Sequence, residues 1–153
     1  MVKKRQILKL GFDSDINLIG ISCHLKSYRL SFAMDSSLGL SFNRVSDFVI
    51  PGQADESLHF PFLIYEDDEL KNQFCLVGNH HPQGKLVPAL RQVDFFLMAK
   101  NPLDHLLLNS VLKKIRNIPQ VLAAYEIDTR KTKDIDLLLC EMELHLMTVG
   151  KTA

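Results

Sequence analysis

The apolar positions of this chain do not keep a single period. Around Gln6 to Phe12, Ile7, Leu8 and Leu10 alternate about lysine and then meet Gly11 and the cap-forming cluster Asp13-Ser14-Asp15, which predicts a strand followed by a helix. From Ile16 onward, Ile16, Ile19 and Cys23 share one helical face and Leu18, Ile21 and Leu25 the opposite one, so a first helix covered on both sides is predicted. A break near Ser27 starts a second helix, whose stripe of Leu30, Ala33, Met34 and Leu38 stops at Gly39, a suitable C-cap.

The pattern then changes to period-two or β-rich runs at Leu40 to Ile50, His59 to Tyr65, Phe74 to Gly78 and Val93 to Ala99. Pro51-Gly52, Asp67-Asp68 and Pro82-Gln83-Gly84 separate them. The short acidic turn Glu66 to Glu69 predicts an antiparallel hairpin, because parallel neighbours need a long crossover. Pro102 takes the first position of a helix predicted to reach about Asn117, and Ile118-Pro119 ends it before a strand at Val121 to Ile127. Strand, helix and strand over Val93 to Ile127 resemble a split βαβ unit. Asp134 to Met147 satisfies neither period cleanly and is read as helix.

The predicted fold class is therefore α+β in a single domain. It has a mainly antiparallel sheet of about five to six strands, with N-terminal helices and one long helix after Pro102 packed on it. The boundaries are a core over residues 1–128 and a C-terminal extension over 129–153 that belongs to the same domain.

Composition narrows the function classes. With 153 residues, 46% hydrophobic and 24% charged, the chain is long enough for one sizeable core and unlike disordered or fibrous sequences. Eighteen basic and eighteen acidic residues balance, which removes the positive field that nucleic acid binding draws on. The start Met1 to Arg5 has the charge of a signal peptide, but Lys9, Asp13 and Asp15 interrupt the apolar run that should follow, so no export signal is expected. No apolar run approaches a membrane span. Cys23, Cys75 and Cys140 have no paired spacing, which fits a reducing, cytoplasmic setting.

Val87-Pro88-Ala89-Leu90-Arg91-Gln92-Val93-Asp94-Phe95 resembles the pattern Ile-Pro-Glu-x-x-x-Val-Asp-Tyr, the signature of the bacterial IPExxxVDY family. Pro88, Val93 and Asp94 agree with it, while Val87, Ala89 and Phe95 replace Ile, Glu and Tyr. Tyr28-Arg29-Leu30, Ile118-Pro119-Gln120-Val121 and Tyr125-Glu126-Ile127-Asp128 are similar to further segments of that family, so the resemblance runs from about Leu8 to Asp128. It implies a shared fold and carries no activity. Ala89 removes any acid–base role for the family's glutamate. Read physically, the segment is a strand entry, with Pro88 turning Val87 from helix and Val93, Phe95 and Leu97 facing inward.

The constellations that carry chemistry elsewhere are weak here. His80-His81 offers imidazoles, but neighbours on a strand point apart and a solvated turn is the simpler reading, so no metal or cofactor is expected. Cys140 with His145 lacks a second ligand pair. Cys23 and His24 are adjacent on the expected helix and cannot meet as thiolate and base. Glu66 to Glu69 reads as a solvated turn. No nucleophile elbow, phosphate loop or dinucleotide turn occurs. Tyr28 and Arg29 could grip an anion or pair with Asp94 or Glu126.

In the helix after Pro102, Leu103, Leu107, Val111 and Ile118 suit the sheet, which leaves Leu108 and Leu112 needing another cover, from the tail helix or a second subunit. The leading expectation is a non-enzymatic interaction or scaffold module that self-associates as a homodimer or binds a protein. The alternative is a small-molecule or enzymatic pocket with Tyr28, Arg29, Asp94 and Glu126. An RNA partner could use only Lys113-Lys114-Arg116 and Arg130-Lys131-Lys133.

Overall fold

The computed structural model describes residues 16–52, 55–131 and 135–152, with side chains as far as Thr148. The predicted strand at Gln6 to Phe12 and the Asp13-Ser14-Asp15 cap lie outside the described residues. In chain order the elements are β1 (Asn17–Cys23), α1 (Ser27–Leu38), β2 (Asn43–Pro51), β3 (Ser57–Asp67) and β4 (Asn72–Gly78). A two-residue hairpin follows, β5 (His80–His81) and β6 (Gly84–Lys85), then a 3-10 turn at Pro88–Leu90. The rest are β7 (Phe95–Ala99), α2 (His105–Arg116), β8 (Val121–Glu126) and α3 (Ile135–Thr152).

Six strands form one sheet in the order β2-β3-β4-β7-β1-β8, and every neighbouring pair is antiparallel. The fold is α+β. The hairpin expected at Glu66 to Glu69 is present, and Asp67 Oδ1 accepts the backbone N–H groups of Glu69 and Leu70 at 3.0 Å. β7 and β8 both run antiparallel to β1 between them, so β7, α2 and β8 form the expected split βαβ unit around β1.

Residues 17–23 are strand where a helix was expected. Ile19, Ile21 and Cys23 join one core cluster while Leu18 joins the other, so both faces of β1 are buried. A central strand of this kind reads as an unbroken apolar run, and period alone does not separate it from a doubly covered helix. The β-branched Ile19 and Ile21 favour the extended form. Gly20 sits at a close approach, since a Cβ there would lie 3.0 Å from Ile127 Cδ1 and 3.1 Å from Val93 Cγ2 and would press on both side chains. α1 starts at the predicted break and ends at Gly39, whose φ of 70° is the left-handed cap geometry. There is thus one helix, not two, between residues 16 and 40.

Helices cover both faces of the sheet. α1 and α2 pack with Ile21, Leu76, Phe95 and Leu97 on one side. α3 packs with Phe62, Val77, Phe96 and Met98 on the other. The expected single inward face of Val93, Phe95 and Leu97 is corrected accordingly, because successive residues of β7 enter opposite cores. The tail is helical as expected. Its buried stripe is Ile135, Leu138, Leu139, Met142 and Leu146, and Lys100 Nζ ties β7 to it through Glu143 Oε2 at 3.2 Å.

α2 differs from expectation at both its start and its phase. Asp104 is the N-cap, accepting the Leu107 N–H at 2.8 Å, and Pro102 lies in the extended lead-in. Leu108, Leu112 and Ile115 are the buried stripe. The second cover that the wide apolar arc called for is α1, because Leu107 and Val111 share a crevice with Leu38 and Leu40. Leu108 and Leu112 are therefore not free to meet a second copy.

Candidate functional site

The signature segment wraps around one buried side chain, Asn79, which is fully inaccessible to solvent. Asn79 stands where β4 leaves the sheet, and the chain returns past it through the β5–β6 hairpin and the 3-10 turn to β7. Its Oδ1 accepts the Val87 N–H at 2.7 Å, and its Nδ2 donates to Val93 O at 2.8 Å and Leu90 O at 3.1 Å. Its backbone N–H donates to Asp94 O, and its carbonyl accepts from the Leu86 N–H, each at 2.9 Å. One amide thus satisfies the Val87 N–H and the Val93 carbonyl, which a loop of this shape would otherwise bury unpaired, and adds a second donor to Leu90 O, which already accepts the Val93 N–H at 3.0 Å.

Asp94 closes the other side of the loop. Its N–H donates to Ile21 O at 2.8 Å and its Oδ2 accepts the Cys23 N–H at 2.8 Å, which ends β1. Its Oδ1 meets His80 Nε2 at 2.5 Å, and Lys85 Nζ lies 2.6 Å from His80 Nδ1. Both ring nitrogens of His80 thus have partners, which ties the hairpin to Asp94. The neighbouring His81 turns away and packs edge-on to Phe60, with ring centroids 5.9 Å apart. Burial, followed by the Asp94 charge, pushes the adjacent Cys23 thiol up, which works against a thiolate there.

The four sequence-predicted ligand residues are not brought together. Asp94 binds the Cys23 end of β1, whereas Glu126 lies at the other end, pairing in register with Ile19 and accepting from Asn17 Nδ2 at 2.9 Å. Four residues of β1 separate these positions, roughly 13 Å along the strand. Tyr28 and Arg29 are exposed on α1, Tyr28 shares its outer face with Phe32, and Arg29 makes no ion pair among the described residues. Asp94 pairs with His80, not Arg29. Among the described residues no three His, Cys, Asp or Glu side chains converge as a metal site would need. Among the described residues no helix is long and apolar enough to cross a membrane.

Sequence reasoning missed two features. Asn79 itself left one signal, a lone amide closing the apolar run Phe74 to Gly78. The other is a groove of about 310 Å³ between the end of β2, the 3-10 turn and the start of α3. Ile50, Leu86, Pro88, Ala89 and Leu137 line it with Glu141 as its single charged group. It shares Leu137 with the outer face of α3, where Leu137, Leu144 and Met147 are 65%, 56% and 53% exposed and Cys140 is half-buried.

All three cysteines are free. Burial pushes the Cys75 thiol far up, with the nearby Glu143 adding to the effect. Titration of native protein with a thiol-specific disulfide reagent is expected to show one fast-reacting group, Cys140. Cys23 and Cys75 should react only at the rate of unfolding. Two or more fast thiols, or fast reaction surviving Cys140→Ser, would contradict the described packing.

A scan against family models finds no match to this chain, and no curated protein matches it.

Proposed function

We propose that the chain is a non-enzymatic interaction module that self-associates, with the fold of the IPExxxVDY family. The observation that carries this reading is the outer face of α3. That helix is apolar on both sides, and a helix of this kind is ordinarily covered on both. Its inner stripe meets the sheet, but Leu137, Leu144 and Met147 face solvent. The paired charge total of eighteen and eighteen leaves no net repulsion between copies.

The roles of Pro88, Val93 and Asp94 support the family reading, since each shapes the chain: Pro88 opens the 3-10 turn, Val93 packs against Gly20, and Asp94 ends β1. An occupied imidazole and scattered candidate ligands favour binding over catalysis. Free cysteines accord with a cytoplasmic setting.

Sedimentation velocity over a wide concentration range is expected to show a monomer–dimer equilibrium that Leu144→Glu abolishes while leaving the circular dichroism spectrum and melting curve unchanged. A monomer throughout for the unaltered chain would refute self-association.

A further inference from the structure

Resting on that reading, we infer that two copies join through α3 in an antiparallel, two-fold arrangement in which Met147 of each copy packs on Leu137 at the rim of the other's groove. The exposed stripe is Leu137, Cys140, Leu144 and Met147, at intervals of three, four and three residues. That order of intervals is the same read from either end. When one α3 is laid antiparallel on another about an axis level with Met142, Leu137 meets Met147 and Cys140 meets Leu144 in both directions. This is the isologous self-complementarity that a two-fold dimer requires. The intervals are also those of an a/d helix seam.

The ends of the seam are unequal in a way that suits the pairing. At the Leu137 end lies the groove, with Leu86, Pro88 and Ala89 forming the far wall. At the other end stands Met147, 53% exposed, an unbranched thioether able to fill an irregular apolar recess. A single helix seam about 15 Å long buries less than a standard interface, and the added groove contact places the dimer among weak, reversible ones. Glu141 borders both seam and groove and approaches its own counterpart across the axis. Association should therefore tighten with added salt, and Glu141→Gln should tighten it about twofold at low ionic strength.

Cysteine cross-linking reads the register directly, because Cys140 faces Leu144 of the other copy. Oxidation of Leu144→Cys with copper phenanthroline in air is expected to give at least about fivefold more covalent dimer than the unaltered chain, since only facing thiols meet disulfide geometry. Adding Cys140→Ser should remove that gain. A Leu137→Cys, Met147→Cys pair in a Cys140→Ser background, which leaves Leu144 in place, should cross-link as well.

Sedimentation of the unaltered chain is run alongside. A dimer by sedimentation with no gain in either cysteine variant overturns the register and leaves self-association standing. A monomer by sedimentation overturns both.

Discussion

Asn79→Ala should cost about 2–5 kcal/mol of unfolding free energy, since it strands two buried main-chain groups and each unsatisfied group costs on the order of 1–3 kcal/mol before relaxation. The groups are the Val87 N–H and the Val93 carbonyl, which have no water-exposed route around a side chain with zero accessibility, whereas the Leu90 carbonyl keeps the Val93 N–H. Denaturant unfolding of the variant and the unaltered chain measures the difference, and a loss below about 1 kcal/mol would mean that the loop repacks.

Asn79→Asp sharpens the test through pH. A carboxylate can still accept from Val87, but its second oxygen would oppose two carbonyls, so the folded chain favours the protonated acid and raises its pKa. The deficit against the unaltered chain should thus be smallest below about pH 4, where the unfolded acid is itself protonated. It should grow as pH rises toward the raised folded value. A deficit that instead shrinks with rising pH would contradict the hydrogen-bond assignment.

Phe62→Ala should have a comparable effect, about 3–5 kcal/mol for a fully buried aromatic ring. Phe62 stacks on Phe48 at 5.9 Å and meets His145 edge-on at 4.7 Å, so it joins β3 to the edge strand β2 and to α3. His145 in turn donates from Nε2 to Ser46 O at 2.8 Å, covering part of that open edge. A double-mutant cycle with His145→Ala should return a coupling of about 0.5–1.5 kcal/mol. Additive losses would show that α3 is held without this aromatic contact.

Much of the sheet was legible in the sequence. β7 and β8 lie within the predicted runs, and β2, β3 and β4 overlap theirs with ends displaced by one to three residues, because turn residues act locally. β1 was not legible, since burial on both faces erases the alternation that identifies a strand. The phase of α2 was missed for a related reason: with apolar residues over most of its circumference, its own pattern does not say which part meets the sheet. Asp94 was singled out as a candidate ligand residue, and its partners, His80 and the Cys23 N–H, depend on a chain reversal that no local spacing encodes. The α3 stripe was present in the sequence, but its division into covered and open halves becomes visible only with the sheet beneath it.

The position of β1 has a consequence for how the chain is made. Ile21 pairs with Phe95 and Ile19 with Glu126, so the strand synthesised early lies between two partners synthesised late. At about 5–20 residues per second, the interval from Ile19 to Glu126 is roughly 5–20 s. During that time the two-sided apolar strand has no β8 to close against, while the β3–β4 hairpin can already form. Holding Ile19 and Ile21 out of wrong pairings in a growing chain is therefore a task for the ribosome's surroundings as much as for the sequence, and the β7-β1-β8 side of the sheet is the last part that translation allows to settle.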